Sequence, residues 1–258
     1  MINEMKSYFF RHRPIYMLPI WIIIGCGIQY LILLNGNIND VKDAVSTESI
    51  TLIYQNFSID IIAFFTLMYC IFCSVSSIPS IIIGVKNRIH PSVKQISPLL
   101  VIFNKMAASY FFVLICNAII ILTTSFIAIL LYGFDKNVFL NAFFLFVAKA
   151  YSSLFYVTVS ILVALVLKKY ILVLAVFMII GIMKVITFTN FHDTAIFDYI
   201  IFNHSDISFY FNLPSAGVDR GYNLLFSILI YLTYIFSLYC LSVWVLMQKK
   251  RSSLQITS

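Results

Sequence analysis

Six long apolar runs, separated by segments that carry most of the charged residues, constrain what this 258-residue chain can fold into. They fall at about residues 15–34, 59–83, 106–132, 139–167, 170–188 and 223–247. A bilayer-crossing helix needs roughly 20 consecutive apolar residues, and each run meets or nearly meets that length. Hydrophobic residues make up 62% of the chain and charged residues only 10%, with a mean hydropathy of +0.99. Soluble domains are typically about 45–50% apolar, and even large ones leave much of their surface in water. Lipid must therefore be the solvent for most of this chain. Backbone groups in hydrocarbon have to bond internally, so runs of this length predict helices. The alternating pattern of a membrane barrel does not recur. The fold class expected is all-α integral membrane, a single transmembrane domain over residues 1–258 with six spans.

The first run follows Lys6, Arg11 and Arg13, as a signal peptide would. At about 20 residues it exceeds the roughly 7–15 of a signal core, and no small-residue cleavage pattern follows, so it is read as a retained span. The five cysteines, Cys26, Cys70, Cys73, Cys116 and Cys240, all lie in apolar runs. Cys70 and Cys73 have the spacing of a redox or metal pair, but no histidine or further cysteine stands near them. Small packing residues are the simpler reading.

The net charge of +7 bears on orientation rather than on nucleic acid, because the basic residues cluster at the ends of apolar runs. With the N-terminus inside, twelve fall on the cytoplasmic side: Lys6, Arg11, Arg13, Lys86, Arg88, Lys94, Lys105, Lys168, Lys169, Lys249, Lys250 and Arg251. Only three, Lys42, Lys136 and Arg220, fall outside. Cytoplasmic loops carry such an excess. The expectation is a multi-pass protein of the cell membrane with both termini cytoplasmic.

Three segments between or before the spans are informative. Residues 1–14 mix Tyr8, Phe9 and Phe10 with basic residues, which suits a short helix lying in the cytoplasmic interface. Residues 84–105 form a basic loop without an acid, in which Pro91 and Pro98 bracket a stretch long enough for two helical turns. Ile96, Leu99 and Leu100 give that stretch an apolar side suited to a soluble partner. An ordinary basic loop is the plainer alternative. Residues 189–222 are too polar to span and too aromatic for a solvated loop; short helices re-entering the outer leaflet before the last span fit best.

Catalytic motifs are missing from the sequence. None of the eight glycines is followed by lysine, so there is no phosphate-cradling P-loop. The four histidines, His12, His90, His192 and His204, never pair at helical spacing as a zinc protease requires. His192-Asp193 and His204-x-Asp206 share the outer segment. A metal or proton site is one reading of them, and polar surface is the plainer one. No catalytic residue and no metal ligand is assigned, and the chain is not expected to be an enzyme.

Lys149 is the residue that most needs a reason. It lies well inside the fourth run, where a charge costs roughly 2.5–3.5 kcal/mol on insertion scales. Ser153, Tyr156 and Ser160 share its helical face. That stripe should meet another helix, a second subunit or a wet cavity, and Lys149, Ser153, Tyr156 and Ser160 are candidates for a translocation path. Snorkelling of Lys149 to the interface is the alternative. Ser74 and Ser77 on the second run, near Pro79, join them as weaker candidates, since small residues let helices approach closely.

Taken together, the arrangement resembles the permease subunits of type-2 ABC exporters. Those have an interfacial helix before the first span, six spans with both termini inside, a coupling helix between spans two and three, and short re-entrant helices between spans five and six. In this chain Gly84, Pro91-Ser92 and Asn104-Lys105 stand where the family has its loop signature, while the family's acidic residue has no counterpart. The resemblance implies an ATPase-coupling loop carrying Lys86, Arg88, Pro91, Ser92, Lys94, Ile96 and Leu99. It implies that ATP and Mg bind to a separate cytoplasmic ATPase and no cofactor to this chain. It also implies a second permease subunit, identical or not, membrane lipid around both, and no nucleic-acid partner. The small size and the aromatic outer segment are similar to bacterial peptide-export and lantibiotic-immunity permeases, so the implied cargo is an amphipathic or antimicrobial peptide or a lipid-like molecule. An ATP-independent immunity or interaction protein that binds a toxin is the main alternative, and an intramembrane enzyme a more distant one.

Overall fold

The computed structural model describes residues 97–132, 136–167, 170–190, 198–211 and 222–255. The interfacial segment, the first two apolar runs and most of the 84–105 loop lie outside these residues. Within them the chain is helical: α1 (Pro98–Tyr132), α2 (Lys136–Leu167), α3 (Tyr170–Asn190), a one-turn α4 (Ile201–His204), a 3-10 turn (Ser208–Phe211) and α5 (Leu224–Gln255). Three stretches are long and apolar enough to cross a membrane: Pro98–Ile119, Ala142–Leu167 and Leu224–Lys249. They make this a membrane protein by length and composition. α3 carries a shorter described apolar stretch, Ala175–Lys184.

Helix α1 begins eight residues earlier than the expected span at 106 (106 − 98). Local chemistry explains the difference. Pro98 occupies the first helical position, where its missing N–H costs nothing and its fixed φ is already helical. Ser97 caps the end: its Oγ accepts from the Leu100 amide at 3.3 Å and its carbonyl from the Val101 amide at 3.1 Å. Pro98 thus opens the helix instead of closing a loop segment, and Leu99, Leu100 and Lys105 belong to α1. At the other end of the chain, α5 extends past the apolar stretch at 247 through Lys249, Lys250 and Arg251.

Helix α2 is central. It packs against α1, α3, α5 and the 3-10 turn, and 50% of its membrane-length stretch is buried, against 17% for α5. Its sequence carries apolar residues on all sides, as a helix surrounded by others should, with one polar stripe through Lys149, Ser153, Tyr156 and Ser160. One face sets Val157, Ile161 and Leu165 against Ile102, Phe112 and Val113 of α1 and Val243 and Leu246 of α5. The opposite face sets Phe155 and Val159 against Phe177 of α3, Ile201 of α4, and Tyr231 and Ile235 of α5.

Side-chain bonds fix the relative directions. Tyr239 of α5 donates to the Leu99 carbonyl at 3.0 Å, and the Lys249 ammonium donates to the Leu165 carbonyl. The start of α1 and the ends of α2 and α5 therefore lie at one end of the bundle. Lys249 meets carbonyls in the last turn of α2, where a cation is favourable to the helix dipole.

Candidate functional site

Two clusters of described polar groups stand out: one turn in the interior of α2, and residues 198–210 where they meet the start of α5.

The interior cluster centres on Lys149–Phe155. In lipid there is little hydrophobic drive between helices, so packing and interhelical hydrogen bonds hold them together. Three consecutive α2 carbonyls each accept a side-chain bond from a different source. The Lys149 carbonyl takes the hydroxyls of Ser152 at 3.1 Å and Ser153 at 2.5 Å. The Ala150 carbonyl takes Tyr110 of α1 at 3.0 Å, and the Tyr151 carbonyl takes Tyr231 of α5 at 2.5 Å. The Tyr231 hydroxyl also accepts the Phe155 amide at 2.9 Å. It is thus bonded to both groups, the residue-151 carbonyl and the residue-155 amide, that pair with each other in an undisturbed α-helix. Such an insertion of a foreign side chain into the ladder is a recognised origin of helix bending. The Tyr231 ring is wholly buried and stacks on Tyr151 with centroids 4.0 Å apart. The Tyr151 hydroxyl is buried and has no hydrogen-bond partner among the described residues.

Ser153 links this turn to α1, because its Oγ accepts from Asn117 Nδ2 at 3.2 Å. Asn117 is 2% exposed and Ser160 is 1% exposed, with its hydroxyl on the Val157 carbonyl at 2.7 Å. Tyr156 is half-buried and stands edge-on to Phe155. Ser153 and Ser160 therefore face neighbouring helices of the same chain. Lys149 is half-buried, and seven residues inside the apolar stretch that begins at Ala142 it sits about 10 Å deep. Leu99 is on the first turn of α1 with its side chain 53% exposed. Lys86, Arg88, Pro91, Ser92, Lys94, Ile96, Ser74 and Ser77 lie outside the described residues.

Asn117 and Tyr231 belong to this cluster although neither is among the residues picked out from the sequence. Asn117 carried a usable signal, a lone amide inside an apolar run. Tyr231 is one of 16 tyrosines and carried none. The Asn117–Ser153 bond gives a measurable expectation. Asn117→Val should lower bundle stability by about 0.6 kcal/mol, and by no more than about 1.7 kcal/mol, the range for single interhelical bonds in membranes. Steric-trap unfolding in bicelles would read the loss, and it should vanish in a Ser153→Ala background.

The second cluster joins residues 198–210 to the start of α5. His204 is fully buried; its Nε2 lies 2.7 Å from the Asp198 carbonyl and its Nδ1 3.0 Å from Ser227 Oγ. Ser227 Oγ is 2.8 Å from the Tyr210 hydroxyl, which also reaches the Tyr222 carbonyl at 3.0 Å. The Tyr222 hydroxyl donates to the Asp198 carboxylate, closing a ring of contacts. The rings of Tyr222 and Phe226 flank the imidazole, with centroids 5.3 and 5.6 Å away. Among the described residues, no group of three or more His, Cys, Asp or Glu side chains is placed to hold a metal ion. Asp206, for which polar surface was the plainer of two readings, is exposed.

The one hydroxyl set beside an imidazole among these groups is Ser227, and both it and His204 are buried; the other side chains are bonded to backbone or, as with Tyr222 and the Asp198 carboxylate, to one another. Compared with protein-family models, curated proteins and solved structures, the chain matches none.

Proposed function

We propose that this chain is the permease subunit of an ATP-driven exporter in the cell membrane, with six spans, both termini cytoplasmic, an interfacial helix at the N-terminus and short re-entrant helices before the last span. The observation that carries this reading is the polar turn in α2. A lysine, two serines and a tyrosine hydroxyl lie inside the most buried apolar helix, which both α1 and α5 clasp at that turn. Ionisable residues at membrane depth generally mark pathways for polar cargo. The positive-inside asymmetry and the capped start of α1 support the same reading. Leu99, Leu100 and Phe103 are about half-exposed near that start, at 53%, 49% and 48%, an apolar surface continuous in sequence with the proposed coupling segment. The cargo would be an amphipathic or antimicrobial peptide or a lipid-like molecule. Energy would come from ATP and Mg on a cytoplasmic ATPase, acting on a dimer of permease subunits.

The test is purification of the tagged full chain in mild detergent from its native host. A Walker-motif ATPase should co-purify, and Leu99→Asp should reduce cargo-stimulated ATP hydrolysis by the complex without lowering the amount of chain in the membrane. Recovery of the chain with a bound toxin and without any ATPase would favour the ATP-independent immunity reading instead.

A further inference from the structure

The ring around His204 can be read by counting hydrogens. Four contacts connect the Asp198 carbonyl, His204, Ser227, Tyr210 and the Tyr222 carbonyl in series. The two carbonyls at the ends only accept. Each contact needs one hydrogen, so all four need four. Ser227 and Tyr210 supply one each. A neutral imidazole supplies one more, which makes three and leaves one contact without a hydrogen, whichever tautomer is chosen. With the hydrogen on Nε2, Ser227 must donate to Nδ1, and Tyr210 can then serve either Ser227 or the Tyr222 carbonyl but not both. With the hydrogen on Nδ1, the Nε2 lone pair points at the Asp198 carbonyl 2.7 Å away. An imidazolium supplies two hydrogens, and every contact is then made in one direction: Nε2–H to Asp198, Nδ1–H to Ser227, Ser227 to Tyr210, Tyr210 to Tyr222.

We propose that His204 is a proton-binding site, and that the buried imidazolium latches the outer segment onto the start of α5. The titratable groups around it among the described residues are two aspartates and three tyrosines; burial opposes the charge, and the completed set of four bonds favours it. Asp198 brings a carboxylate to the ring through the Tyr222 hydroxyl, Asp206 lies two residues away at the surface, and Tyr210 and Tyr222 complete the set. Tyr151 of α2 is the titratable neighbour of Tyr210 from that helix. The described start of α5 contributes no charged side chain; its Asn223, Ser227 and Phe226 are neutral. Loss of the proton removes one of the four bonds: the Nε2 contact with Asp198 in one tautomer, or a contact made by Tyr210 in the other. A group that holds its proton more tightly when folded stabilises at low pH, and that stabilisation is lost as pH rises through its folded-state value. The latch is therefore closed in acid and released in alkali.

The test uses the full chain in lipid nanodiscs with His12, His90 and His192 each changed to Gln, so that His204 is the one remaining histidine. Solid-state nitrogen NMR at about pH 7.5, above the ordinary histidine value of roughly 6.5, should show two protonated ring nitrogens. One protonated and one bare nitrogen at that pH would overturn the proposal. In parallel, amide exchange of residues 198–211, corrected for the intrinsic pH effect, should quicken about tenfold between about pH 6 and pH 9. It should be flat with pH in His204→Gln. Exchange that is pH-independent in the wild type, or equally pH-dependent in His204→Gln, would also overturn it.

Discussion

Tyr231→Ala is expected to destabilise the bundle by about 3–5 kcal/mol, the range for truncating a large buried aromatic side chain. The side chain is wholly buried and lies in the core between α2, α3, α4 and α5, so its removal leaves a cavity lined by Phe155, Ile201 and Ile235. Tyr231→Phe separates the hydroxyl from the ring. It keeps the stack on Tyr151 and removes only the bonds to the Tyr151 carbonyl and the Phe155 amide. Those two groups are spaced as ordinary helical partners and can pair with each other once the hydroxyl is gone. The phenylalanine variant should thus cost only about 0.6 kcal/mol, with about 1.7 kcal/mol as the ceiling. Unfolding of the three proteins in the same bicelles would measure both steps. A loss below about 1 kcal/mol for the alanine variant would mean that α5 does not depend on this anchor. The phenylalanine variant also has a local signature: the Phe155 amide should exchange more slowly, because its bond is then made within one helix.

The length and apolarity of α1, α2 and α5 could be read from the sequence because lipid imposes them directly, through the number of apolar residues needed to cross. Their ends were less legible. A capping serine followed by proline is a start signal, but Ser97-Pro98 lay in a basic stretch that also suited a loop, and hydropathy alone put the boundary at 106. The polar face of α2 was visible as Lys149, Ser153, Tyr156 and Ser160, since helical spacing places them together without any knowledge of neighbours. Their partners were not visible. Which tyrosine reaches Tyr151 depends on α5 running parallel to α2, and that contact spans 80 residues of sequence. The same holds for His204. Closeness in sequence offered Asp206 as one possible partner, with plain polar surface as the simpler reading, whereas the fold pairs His204 with Ser227 and with the backbone of Asp198. Where lipid or local geometry dictates, the sequence can be read; where a long-range contact dictates, it cannot.

Lys149→Leu should leave the chain as abundant in the membrane as the wild type, or more so, yet reduce export on the order of tenfold, equivalent to about 1.4 kcal/mol in the barrier. The two effects separate because they rest on different physics. Insertion depends on transfer of the side chain into the bilayer, and leucine removes a penalty of up to roughly 2.5–3.5 kcal/mol. Export in the proposed reading depends on the positive charge beside the turn that α1 and α5 clasp. The backbone of that turn is unaffected by the substitution: the Lys149 carbonyl still accepts from Ser152 and Ser153, and Ser153 still meets Asn117. A fall in export therefore cannot be put down to loss of these contacts. Lys149→Arg provides the control for charge. Arginine keeps the positive charge on a side chain of similar length, so it should retain several-fold more export than leucine. ATP-driven cargo uptake into inverted vesicles, normalised to the amount of chain present, is the readout. Equal uptake by lysine, leucine and arginine would mean that the ammonium only snorkels along α2 to the interface, about 10 Å away, and takes no part in moving cargo.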